Sequence, residues 1–204
     1  MPKSKQTTMK YNNATFIKSI ANIDTLPPDT GREVAFAGRS NAGKSSALNT
    51  ITNINNLAKT SKTPGRTQLI NFFALEEDSF LVDLPGYGYA KVADFIKKRW
   101  QHTLDQYIAT RQSLKGIILV MDIRHPLKEM DLQMLKWCIY YEHKIHILLT
   151  KADKLTRNMA NTTLFTTQKK LQKHEDYISI QKFSAETKEG LLEAHAKLDA
   201  WFGF

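Results

Sequence analysis

A chain of 204 residues, 42% hydrophobic and 10% aromatic, is long enough to bury one substantial core and too apolar to be disordered. Its formal charge of +9, from 29 Lys and Arg against 20 Asp and Glu, points toward a polyanionic partner such as nucleic acid, with plain solubility as the alternative. The lone Cys138 excludes an internal disulfide. No apolar run reaches the roughly 20 residues of a membrane span or follows the basic N-terminus as a secretory signal would, so the expected compartment is the cytoplasm.

Residues 1–14 are polar, carry Lys3, Lys5 and Lys10, and are expected to form a mobile basic tail, with a single domain over residues 15–204. Residues 15–23 alternate imperfectly, which suits an edge strand or an ordered arm, and Pro27 and Pro28 then turn the chain. Residues 34–37 form a continuous apolar run that reads as a buried strand. It leads into Gly38-Arg39-Ser40-Asn41-Ala42-Gly43-Lys44-Ser45, a full match to G-x-x-x-x-G-K-[ST], and Ser46 opens a helix. In that setting backbone amides and a helix N-terminus face a phosphate, and Gly38 and Gly43 supply conformational freedom. Lys44 then reaches the β and γ phosphates, and the Ser45 hydroxyl ligates Mg²⁺. The motif specifies a nucleoside triphosphate but not its base.

A polar stretch over residues 59–67, marked by Thr63, Pro64, Gly65, Arg66 and Thr67, reads as a functional loop. Residues 69–75 and 80–83 predict an antiparallel hairpin whose second strand ends on Asp83-Leu84-Pro85-Gly86. There a carboxylate can hold the Mg²⁺ shell, and the Gly86 amide can approach a γ-phosphate. Residues 94–111 predict a helix with Phe95, Trp100, Leu104, Tyr107 and Ile108 as its core stripe. Lys97, Lys98, Arg99 and His102 lie largely elsewhere on it, as a solvated face or a phosphate contact.

Residues 116–121 read as a central parallel strand ending at Asp122, and residues 131–141 as a helix that buries Cys138. The next strand, residues 146–149, ends on Thr150-Lys151-Ala152-Asp153. The Asp153 carboxylate can accept both N1–H and the exocyclic amine of guanine, a donor pair that adenine lacks, while Lys151 packs its stem along the base. A partly basic helix from about 158 to 173 and a strand over 178–183 lead to Ser184-Ala185, where a backbone amide can meet the guanine carbonyl. Residues 188–202 predict an amphipathic helix with Leu191, Leu192, Ala194, His195, Leu198 and Trp201 on its buried side. The order of elements predicts a three-layer α/β fold: a mostly parallel six-stranded sheet, one strand antiparallel, helices on both faces, and the nucleotide at the strand C-terminal ends.

Phosphate loop, loop threonine, D-x-P-G, T-K-x-D and Ser-Ala in this order resemble the translation-factor-related class of P-loop GTPases. More narrowly, residues 38–46, residues 63–68 with Asn71 and Phe72, residues 83–90 (Asp-Leu-Pro-Gly-Tyr-Gly-Tyr-Ala) and residues 122–126 resemble the EngB (YihA/YsxC) family of bacterial ribosome-biogenesis GTP-binding proteins. The resemblance spans about residues 15–202. It implies GTP contacts from residues 38–46, from Gly65, Arg66, Thr67, Gln68 and Leu69 as a first switch, from residues 83–86 and 150–153, and from Phe183, Ser184 and Ala185. It also implies Ser45 and Thr67 as Mg²⁺ ligands, Asp83 acting through water, and Lys44, Thr67 and Gly86 as the catalytic set. Spacing alone leaves Thr63 open as the ligand; the resemblance favours Thr67. Asn41 matches an asparagine that holds K⁺ in some relatives, and Arg39 and Arg66 are either charge stabilisers or surface ion-pair partners.

Tyr87 stands where Ras-like enzymes carry a water-orienting glutamine, and a phenol lacks that amide's paired donor and acceptor. Slow GTP hydrolysis, accelerated by K⁺ or by a large partner, is therefore expected. The resemblance implies a monomer that acts on the large (50S) ribosomal subunit or its precursor. A GTP-gated switch in cell division and septation is the alternative, whereas an ATPase or kinase would need neither the T-K-A-D element nor a switch threonine.

Overall fold

Apolar runs too continuous for a half-exposed strand become central strands here, because helices cover both faces of the sheet. The computed structural model describes residues 10–58, 69–76, 78–88 and 94–204, the span 94–100 as helical backbone. In chain order the elements are β1 (Thr15–Ile20), β2 (Arg32–Gly38), α1 (Lys44–Thr52), β3 (Ile70–Ala74), β4 (Ser79–Asp83), α2 (Asp94–Thr110) and β5 (Leu114–Asp122). There follow α3 (Glu129–Tyr140), β6 (Ile145–Thr150), α4 (Arg157–Leu171), β7 (Ile178–Lys182) and α5 (Leu191–Phe202). The strands lie in the order β1-β3-β4-β2-β5-β6-β7. β3 runs antiparallel to both of its neighbours, and the remaining pairs are parallel.

The sheet thus has seven strands and not the expected six. The difference is β1, which pairs with β3 from Thr15↔Ala74 to Ile20↔Ile70 with a bulge between Phe16 and Lys18. One extra residue in a strand shifts its face, which explains the imperfect alternation seen in the sequence. Along the central strands alternate residues feed two cores. Ala35, Ile117, Leu119 and Leu149 face α2, α3 and α4, while Val34, Phe36, Ile118 and Leu148 face α1 and α5.

The packed chain begins no later than Tyr11, inside the segment expected to be tail. Tyr11 is fully buried, its ring stacks on His195 with centroids 4.8 Å apart, and its hydroxyl donates to Asp199 Oδ1 at 2.7 Å. His195 is a core histidine, as expected, held by Ile51 O at 2.8 Å. Leu192 departs from expectation: it faces solvent, since Ala194, His195, Leu198 and Phe202 define the inner side of α5.

At the N-terminal end of the sheet, Glu33 and Arg111 form a buried pair. Arg111 donates Nε to both Glu33 oxygens at 2.9 and 3.1 Å, Nη1 to Pro27 O at 2.9 Å and Nη2 to Pro28 O at 3.1 Å. Tyr107 donates to Glu33 Oε2 at 2.7 Å. Among the described residues, no helix is long and apolar enough to cross a membrane.

Candidate nucleotide-binding site

The six residues between α1's start and the body of β2 turn tightly, and two glycines permit it for different reasons. Gly43 has φ +96°, a left-handed conformation that disfavours a side chain. Gly38 is needed for space: a Cβ there would stand 2.7 Å from Val120 O on β5, so its role is close approach and not the conformational freedom expected of it. Gly43 is also the N-cap of α1, and no side chain among the described residues caps that end. The first-turn amides of Lys44, Ser45 and Ser46 therefore lack the usual side-chain acceptor, the arrangement in which a helix N-terminus receives an anion. The end of β4 fastens the loop, with Ser40 N donating to Tyr87 O at 2.8 Å and Tyr87 N to Gly38 O at 3.3 Å.

Beside the loop, Lys44 Nζ pairs with Asp83 Oδ1. The other Asp83 oxygen accepts from Asn71 Nδ2 at 3.3 Å, and the Asn71 Oδ1 accepts from Ser19 Oγ at 2.7 Å. Ser19, Asn71 and Asp83 are cross-strand neighbours on β1, β3 and β4. The serine hydroxyl holds the amide oxygen toward itself, so the amide nitrogen faces the carboxylate and fixes its orientation. Sequence reading treated Asn71 only as a mark of resemblance and passed over Ser19; the signal lies in strand register, which no local motif carries. Asn41, Lys44, Ser45, Leu69, Asp83 and Gly86 line one cleft of about 740 Å³. Thr63, Gly65, Arg66, Thr67 and Gln68 lie outside the described residues.

Tyr87 is buried, and its hydroxyl donates to Asp131 Oδ1 at 2.9 Å. Burial first, and Asp131 next, push the phenol pKa well up, so it stays a neutral donor. Burial likewise raises the Asp131 carboxyl, against the opposing hydrogen bond from Tyr87. Asp131 Oδ2 also accepts from Lys128 N at 3.0 Å at the start of α3. Tyr87 is thus a clamp between the β4 end, the phosphate loop and α3.

At the far end of the loop, Thr150 Oγ1 donates to Ala42 O and, at 3.0 Å, to Met121 O. It buttresses the phosphate loop from behind. Lys151 Nζ reaches Asn41 O at 2.7 Å and Asp122 Oδ2 at 2.9 Å, so its stem bridges the T-K-A-D turn and the loop. Burial works to raise the Asp122 carboxyl, but hydrogen bonds from Arg124 and Lys151 outweigh it and hold the group well below the usual carboxylate range. Ser184 Oγ donates to Asp153 Oδ1 at 2.7 Å, and that bond is the main cause of a lowered Asp153 pKa. The carboxylate is thereby kept ionised with lone pairs remaining for two further donors.

Of the Ser-Ala pair, Ser184 N is taken by Glu189 O at 3.0 Å, while the Ala185 amide has no acceptor among the described residues. Ala42, Leu84, Pro85, Ala152 and Phe183 are buried, so they contribute main-chain atoms at most; Phe183 O accepts from Ala152 N at 3.2 Å.

A helix start whose N-cap is a glycine and an ionised carboxylate therefore meet at the C-terminal edge of one sheet. A family model described as "50S ribosome-binding GTPase" matches residues 33–152. The "Probable GTP-binding protein EngB" of Coxiella burnetii (strain RSA 331 / Henzerling II) is 55% identical over 192 residues, 94% of each chain. The chain belongs to the EngB family of GTP-binding proteins. Like other P-loop GTPases, the EngB chain binds GTP and hydrolyses it. Its fold is shared with the crystal structure of a probable GTP-binding protein engB, at TM-score 0.68 and 17% identity over 84% of this chain and 98% of that one. It is shared also with Era in a complex with MgGDPNP and 16S ribosomal RNA nucleotides, at TM-score 0.64 and 18% identity over 83% and 56% of the two chains.

Within this EngB chain, the hydroxyl of Ser45 and the carboxylate of Asp83 suit a small hard cation that takes oxygen ligands. Among the described residues there is no cluster of three or more His, Cys, Asp or Glu able to hold a metal.

Proposed function

We propose that this EngB-family GTPase is a nucleotide-gated assembly factor of the large ribosomal subunit, working in the cytoplasm as a monomer. The observation that carries the ribosomal reading is the charge of +9, an excess suited to RNA phosphates. The family description as ribosome-binding supports it.

In the proposed cycle the Lys44 ammonium turns from Asp83 to the β and γ phosphates, and the loop amides hold the same oxygens. Ser45, Thr67 and, through water, Asp83 would hold Mg²⁺, whose chemistry there is neutralisation of charge on the transferring phosphoryl group. The Gly86 amide approaches the γ-phosphate. The Tyr87 hydroxyl spends its proton on Asp131, which supports slow intrinsic turnover. The Asn41 side chain would hold a K⁺ ion, whose chemistry there would be the missing charge stabilisation; a contact from the ribosomal partner would serve the same end.

Asp153→Asn should weaken GTP binding and shift preference toward xanthine nucleotides, measured by competition. For the ribosomal reading, the protein is sedimented with large-subunit precursors at increasing salt in GDP and in a non-hydrolysable GTP analogue. Binding should favour the triphosphate state and fall steeply with salt; indifference to both would defeat the proposal.

A further inference from the structure

Residues 155–174 contain Arg157, Lys169, Lys170 and Lys173 and no Asp or Glu, so one helix and its exit hold an uncompensated share of the positive charge. None of these four is ion-paired among the described residues. Helix α4 packs through Ala160, Thr167 and Leu171. The 3.6-residue period then places Asn158, Asn161, Thr162, Phe165 and Lys169 on the opposite side, and all five are exposed. Phe165 is 67% exposed, the most of any phenylalanine among the described residues. Lysines in a last turn complement the helix dipole, which explains their benefit to α4 but not an aromatic ring left in water among them.

We infer that the outer face of α4 is an RNA-binding surface. Phe165 offers a platform for one unpaired base, Lys169, Lys170 and Lys173 contact backbone phosphates, and Asn158, Asn161 and Thr162 supply hydrogen-bonding groups along the same stripe. An acidic protein could answer the charge, but an exposed flat ring in one stripe with amides and a lysine fits a base and its phosphates better. The helix has 15 residues and so spans about 22 Å, which sets its lysine end far from Asp153 at its start. RNA contact at that end therefore leaves nucleotide affinity unaltered. The inference rests on the ribosomal reading only for the source of the RNA.

The test uses the full chain and a fluorescein-labelled oligouridine of about 20 nucleotides, read by anisotropy over a salt series. Lys169→Glu with Lys170→Glu should weaken binding at least tenfold and lower the salt slope by about 1.4, two phosphates' worth. Phe165→Ala should cost about tenfold with the slope unchanged, and Phe165→Tyr should restore binding. All of these positions are exposed, and GDP affinity should stay at its original value in each variant, which confirms the fold. Lys136→Glu on the exposed side of α3 is the control; an equal loss there would show bulk charge at work and overturn the assignment. Unaltered RNA binding in the α4 variants would also overturn it. If those variants keep RNA binding yet lose precursor subunits, α4 docks a protein and the RNA assignment fails. Loss of precursor binding by the unmodified chain is a failure of the ribosomal reading, separable from all of these.

Discussion

The two ends of the central sheet each carry a lysine or arginine paired with a carboxylate, and the two pairs differ in what they leave unsatisfied. At the N-terminal end the Arg111 guanidinium uses all three of its nitrogens: Nε and Nη2 donate to Glu33, and the Pro27 and Pro28 carbonyls accept from Nη1 and Nη2. At the C-terminal end Lys44 has Asp83 as its one partner among the described residues, although an ammonium carries three donors. The first turn of α1 and the Ala185 amide, neither of them with a side-chain cap or acceptor among the described residues, lie at the same end. A saturated pair cross-links the fold; an unsaturated one is available to a ligand.

The largest effect should come from breaking the saturated pair. Arg111→Ala leaves Glu33 buried without a counter-charge, held by Tyr107 alone among the described side chains, and should reduce unfolding free energy by about 3–5 kcal/mol in urea titrations, with GDP affinity of the folded fraction unaltered. A loss under about 1 kcal/mol would remove the distinction between the two ends.

Acid should act on the fold before it acts on the site. Burial pushes His146 down to about 4, helped by Lys197 and opposed by its bond to Gln181 Oε1 at 2.7 Å. The folded state thus excludes a proton that the unfolded state binds below about pH 6.5. Stability is full above that pH and falls as the solution is acidified toward pH 4, by an amount on the order of 3 kcal/mol. Urea midpoints at pH 7 and 4.5 should diverge in the parent and converge in His146→Gln. Asp153, whose carboxyl sits below its ordinary range, keeps its charge over the same interval.

Lys44→Ala should show the converse pattern, weakening GTP and GDP binding by about 10- to 100-fold while costing less stability than Arg111→Ala, since Asp83 lines the cleft and keeps its bond from Asn71. Smallest of the four, Asn71→Ala should weaken the Mg²⁺ dependence of GTP affinity by about tenfold without moving the urea midpoint, and Ser19→Ala should follow it in the same direction. If Asn71→Ala instead lowered stability and left the Mg²⁺ titration alone, the Ser19–Asn71–Asp83 chain would belong with the saturated end.

The motif-bearing turns were readable from the chain, whereas local periodicity misplaced Leu192. The phosphate loop, the D-x-P-G turn and the T-K-A-D turn are contiguous because each is one strand end and the turn after it. Periodicity of 3.6 located the helices, and unbroken apolar runs located the strands with helices on both sides. Tertiary structure decided what crosses strands: the seventh strand with its bulge, the burial of Tyr11 against His195, and the hydrogen-bonded row from Ser19 to Asp83. It also reassigned residues already noticed. Gly38 gives room to Val120, Thr150 buttresses the loop and Tyr87 clamps Asp131, since a side chain's partner is set by the register and packing that bring distant segments together.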